Sequence, residues 1–92
     1  MKTFGDLKIG DVFYDIVMDM FNNRKVFYIN KIIDISHIPG GCISYRWTDN
    51  EGENGRTVFT ESEINLTIFD TTSGVVHIAN VNDLLKYLNE NV

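Results

Sequence analysis

The chain has 92 residues, 43% hydrophobic and 23% charged, proportions that suit one folded domain and exclude a globally disordered chain. Thirteen Asp and Glu outnumber eight Lys and Arg, and the formal net charge of −5 disfavours direct contact with nucleic-acid phosphates or anionic lipid. No run reaches the ~20 apolar residues of a membrane-spanning helix. The single Cys42 cannot close an intrachain disulfide, and the first residues lack the apolar segment of a signal peptide. These features predict one domain over residues 1–92, in the cytoplasm.

In chain order, residues 4–11 form a lead-in turn, in which Phe4, Leu7 and Ile9 are expected to plug one end of a core. Residues 12–17 are the first predicted strand, with Val12, Tyr14 and Ile16 opposed to Phe13, Asp15 and Val17. Asn22-Asn23 suits the positive φ of a hairpin tip. Residues 25–35 make a second strand, longer than the usual ~5–6 residues and therefore expected to bend. Pro39-Gly40-Gly41 mark a turn spanning residues 36–41.

Residues 42–49 carry the clearest pattern of the chain. Ile43, Tyr45 and Trp47 alternate with Ser44, Arg46 and Thr48, the signature of a half-buried antiparallel strand. A polar loop at 50–55 leads to a short returning strand at 56–59. Thr60 and Glu63 are spaced as a capping box for one helical or 3₁₀ turn. Strands follow at 66–69 and 75–78. Val81, Leu84, Leu85 and Leu88 then recur at helical spacing, with Asn80 placed to cap the helix and Asp83 three residues on. A helix of about 81–90 is too short to persist alone, so it must pack on the sheet; the expected position is over one open end. The predicted architecture is mainly β, a small barrel of about five to six antiparallel strands with a short C-terminal α-helix.

The segment Leu7-Lys8-Ile9-Gly10-Asp11-Val12, followed by several short β segments, resembles the lead into the first strand of SH3-like small barrels. The opening residues 1–14 (Phe4-Gly5-Asp6-Leu7-Lys8-Ile9-Gly10-Asp11 at their centre) and the closing Leu84-Leu85-Lys86-Tyr87-Leu88-Asn89 are similar to small proteins of bacteriophages and prophages. The matched residues cover under a third of the chain. The resemblance implies an SH3-like fold and a phage-type origin, and it implies no activity.

The rings of Phe13, Tyr14, Phe27, Tyr28, Tyr45, Trp47 and Phe59 have two readings: a core, or a groove or cage of the sort that binds peptides and cations. On the second reading the contact residues are Tyr14, Tyr28, Tyr45, Arg46, Trp47 and Asp49, with Tyr45, Trp47 and Asp49 supplying two walls and a carboxylate. The acidic loop from Asp49 through Glu51 and Glu53 departs from the EF-hand spacing and reads as a solvated hairpin tip. His37, Cys42 and His77 lack the paired spacing of a zinc site, and no nucleophile has an orienting partner. The expectation is therefore no metal, no cofactor and no catalytic residue. The predicted function is a non-enzymatic protein-interaction module, a phage-type accessory protein acting on a host or phage protein. Homodimerisation through an exposed strand edge is a subsidiary expectation. The alternatives are an acidic inhibitor occupying a basic groove of a nucleic-acid-processing enzyme, and a small-ligand-binding barrel.

Overall fold

The structure, a computed structural model, describes residues 1–90. Six strands, β1 (Val12–Asp19), β2 (Arg24–Ile38), β3 (Cys42–Thr48), β4 (Asn54–Phe59), β5 (Ile68–Asp70) and β6 (Val75–Ile78), precede one helix, α1 (Val81–Glu90). The strands pair antiparallel in a single sheet of order β4-β3-β2-β1-β6-β5. In a flat sheet β4 and β6 would stand four strand spacings apart, roughly 19 Å. The ring centroids of Phe59 on β4 and His77 on β6 are 5.4 Å apart, so the sheet curls back on itself into a small barrel. Between the edge strands the chain is tied by loop contacts: the Phe4 and Gly5 amides donate to the carbonyls of Leu66 and Ile64, at 3.0 and 2.8 Å.

β2 runs further than its pattern suggests. Ser36, His37 and Ile38 pair with Ser44, Ile43 and Cys42, which shortens the turn to Pro39-Gly40-Gly41. Both glycines adopt positive φ there, 95° and 82°. The expected bend is a bulge: Ile32 pairs with Trp47 but Asp34 with Arg46, leaving Ile33 as the extra residue. Ile32 and Ile35 can then both pack into the interior although they are three residues apart. β4 starts earlier than expected, at Asn54, because Asn54 and Gly55 pair with Thr48 and Trp47. β5 is confined to Ile68–Asp70.

The interior core comprises Phe4, Leu7, Phe13, Ile32, Ile43, Tyr45, Phe59 and Ala79. Phe4 stacks on Phe59 with centroids 4.3 Å apart, and it and Leu7 form the plug expected from the lead-in. Ile9 is no part of it: the residue is 65% exposed, beyond the Leu7 anchor and before the Gly10 turn.

A second cluster lies on the outer face, where Ile16, Val76 and Ile78 meet Leu84 of the helix, flanked by Tyr14, Ile68 and Tyr87. The helix thus covers the outside of β1 and β6 rather than an open end. The physical reason is that Phe4 and Leu7 already fill one end, while β1 and β6 carry an apolar outer stripe that requires a cover. Its contact edge is Leu84 with Tyr87, and Val81, Leu85 and Leu88 stay exposed. The cap forms as its residues suggest: the Asp83 amide donates to Asn80 Oδ1 at 2.9 Å, and Asn80 Nδ2 donates to Asp83 Oδ2 at 2.9 Å. Among the described residues no helix is long and apolar enough to cross a membrane.

Candidate functional site

The inward-facing rows of the barrel change character along the strands. β1 contributes Phe13, then Asp15 and Val17; β2 contributes Ile32, then Asn30 and Tyr28; β3 contributes Ile43 and Tyr45, then Trp47. Register sets Asp15 opposite Tyr28, and Ile32 opposite Trp47. The plugged end is therefore apolar, and the other end opens as a mouth of about 230 Å³ lined by Asp15, Val17, Tyr28, Asn30 and Trp47. Asp49, Glu51 and Glu53 complete its rim.

Asn30 is the floor of this mouth. It is 1% exposed, and neither its amide oxygen nor its amide nitrogen has a hydrogen-bond partner among the described residues. A buried amide left unpaired costs roughly 1–3 kcal/mol, so its retention calls for an explanation other than stability. Beside it Asp15, 8% exposed, places Oδ1 2.6 Å from Nδ1 of His77, its cross-strand partner. The His77 ring meets Phe59 and Phe13 edge to face, at 5.4 and 6.3 Å between centroids. Those contacts fix the imidazole, the imidazole fixes one carboxylate oxygen, and Oδ2 of Asp15 remains for the mouth.

Trp47 forms a wall. Its Nε1–H donates to Thr57 Oγ1 at 2.9 Å, and the indole lies across its cross-strand partner Gly55. A Cβ at position 55 would come within 2.4 Å of an indole carbon, so only glycine admits the ring in this place. The rim is held just as definitely. Asp49 Oδ1 accepts from the Glu51 and Glu53 amides at 2.8 and 3.0 Å, and the Asp49 amide donates to the Glu53 carbonyl at 2.8 Å. Asn50 Oδ1 accepts the Ile29 amide at 2.9 Å, binding the hairpin tip to β2. Four carboxylates thus surround the opening, and no Lys or Arg is among the described residues that line it. A concave site of one charge sign focuses its field on an approaching counter-charge.

Of the six contact residues expected from sequence, Tyr28, Trp47 and Asp49 come together in this mouth. Tyr45 does not, and its assignment as a contact residue is corrected: it is fully buried, and its hydroxyl donates to the Phe4 carbonyl at 2.6 Å. Burial pushes its pKa up to about 12, with the Asp6 and Asp11 carboxylates adding to the rise. Tyr45 shares a face with Trp47 but lies deeper along the barrel, against the plug. Tyr14 and Arg46 belong to the outer face, Tyr14 stacked on Phe27 at 5.9 Å and Arg46 exposed between Asp34 and Arg56. Asp15, Asn30 and Gly55 were not singled out from sequence. The signal for the first two was present: each is a polar residue in the inward phase of an otherwise apolar strand row.

No family model, no curated protein and no solved structure matches this chain.

Proposed function

We propose that this chain is a non-enzymatic protein-interaction module, an SH3-like barrel of phage type whose open mouth receives a side chain of a partner protein. The observation that carries the reading is the gathering of Tyr28, Trp47 and Asp49 around the buried, unpaired Asn30. At about 230 Å³ the mouth is below the ~300–1,000 Å³ range of drug- and cofactor-sized pockets and suits one protruding side chain. A reducing, cytoplasmic setting agrees with the lone Cys42.

Affinity capture from the native host tests this with three forms of the chain: wild type, Glu51→Lys with Glu53→Lys, and Phe27→Ala on the outer face. The expected result is a protein held by wild type and Phe27→Ala and released by the rim reversal. Retention by the rim variant with loss on Phe27→Ala would move the contact to the outer face and defeat the proposal. The acidic rim also supports a second reading, in which the module blocks a basic groove of a nucleic-acid-processing enzyme. Capture that weakens steeply with salt and is competed by DNA favours that form of partner.

A further inference from the structure

We infer that the ligand of the mouth is a guanidinium group, presented by an arginine side chain of the partner. This deepens the proposed function and rests on it, since the partner must approach the open end. The sign of the charge comes first: Asp15, Asp49, Glu51 and Glu53 line the opening without a basic residue among its described lining. A cation is the complement. It is not a metal ion, because among the described residues no three His, Cys, Asp or Glu side chains stand close enough together to hold one.

Between organic cations, shape decides. The acceptors are dispersed over floor, wall and rim: Asn30 Oδ1 below, Asp15 Oδ2 at the side, and the carboxylates of Asp49, Glu51 and Glu53 above. An ammonium is a compact point charge with three donors, whereas guanidinium spreads five donors in a planar fork. Trp47, packed against Gly55 and tethered to Thr57, supplies an aromatic wall on which a planar, weakly hydrated cation stacks better than an ammonium. Asn30 gives the sharpest competitor. Because both its donor and its acceptor are unpaired, a neutral ureido group would pair with both, whereas guanidinium, which has no acceptor, pairs with Oδ1 alone. The ureido group would gain nothing from the rim, and the four carboxylates around the opening favour the cation.

Three probes separate these possibilities: N-acetyl-arginine amide, N-acetyl-lysine amide and N-acetyl-citrulline amide, titrated into the ¹⁵N-labelled full chain. The Asn30 side-chain amide and Trp47 indole N–H resonances are the readout. The arginine probe is expected to shift both and saturate in the millimolar range, about tenfold or more tighter than lysine or citrulline. Asn30→Leu, and Glu51→Gln with Glu53→Gln, should each weaken it by about tenfold or more while the remaining spectrum shows an intact fold. Citrulline matching arginine would overturn the inference in favour of neutral hydrogen bonding, and lysine matching arginine would overturn it in favour of charge alone. No shift at either reporter up to about 50 mM would also overturn it. If the Glu51→Lys, Glu53→Lys chain still captures the partner while wild type binds the arginine probe, the reading that the partner docks at the mouth fails and the guanidinium site stands alone. If capture depends on the rim and citrulline equals arginine, only the guanidinium assignment falls.

Discussion

The two ends of the barrel are built from the same strands and obey opposite rules. At the plugged end Phe4, Leu7, Phe13, Tyr45 and Phe59 exclude water, and the one polar atom that Tyr45 brings inside donates to the Phe4 carbonyl. Where the open end begins, Asn30, directly across from Phe13, is buried without a partner, and Asp15, the next inward position along β1, keeps one oxygen for the mouth. The first end shows what this chain does when stability alone selects the residue. The second departs from that rule at named positions, and local departures of this sort concentrate where a ligand, rather than the fold, completes the contacts.

The largest expected effect lies at the plugged end. Phe59→Ala removes the ring that stacks on Phe4 and meets Phe13, Tyr45 and His77, and should cost about 3–5 kcal/mol in urea denaturation. If that variant unfolds outright, Ile43→Val at the same end should lose about 0.5–1.5 kcal/mol. A loss near zero in either would make the two ends alike.

Next comes an alkaline signature of the same end. The folded Tyr45 holds its proton to about 12 while an unfolded tyrosine releases it near 10, so the folded state binds more protons between those values. The stabilisation is fully present below pH 10 and is lost as pH rises towards 12, by roughly 2–3 kcal/mol. Urea midpoints measured across that range should fall for wild type and fall much less for Tyr45→Phe.

Gly55→Ala probes the wall of the open end. The added methyl overlaps the indole, so Trp47 must swing off Thr57, at about 1–3 kcal/mol and with a shifted fluorescence maximum. An unchanged Trp47 emission would contradict the packing that makes the indole a wall. The smallest effect belongs to the rim: Glu51→Gln should change stability by no more than about 0.5 kcal/mol, since its exposed carboxylate makes no contact that the fold requires.

Alternation made most of the fold legible. The period-2 rows in β1 and β3 and the Asn80 cap of the helix required no tertiary information, because each depends on neighbours within a few residues. What alternation assigns is a face and not a depth, and this separates Tyr45 from Trp47. They share a phase, yet one meets the Phe4 plug and the other lies over its β4 neighbour Gly55 and lines the mouth. The sequence pattern misplaces the helix for a related reason. Its stripe says that it packs, but whether on an end or on an outer wall depends on Ile16, Val76 and Ile78 being brought together by the β1–β6 pairing. The site was half legible: ring and carboxylate at Trp47 and Asp49 lie on one hairpin, whereas Asn30 and Asp15 become floor and wall only when β1, β2 and β3 curl around them.

The contrast between the ends rests most directly on Asn30, and urea denaturation of Asn30→Leu is the measurement that tests it. If the floor of the mouth is kept for a ligand at the expense of the fold, the leucine variant, similar in size and free of the unpaired amide, should unfold at higher urea than wild type, by about 1–3 kcal/mol. A lower midpoint for Asn30→Leu would mean that the amide supports the fold, and the two ends of the barrel would then follow the same rule.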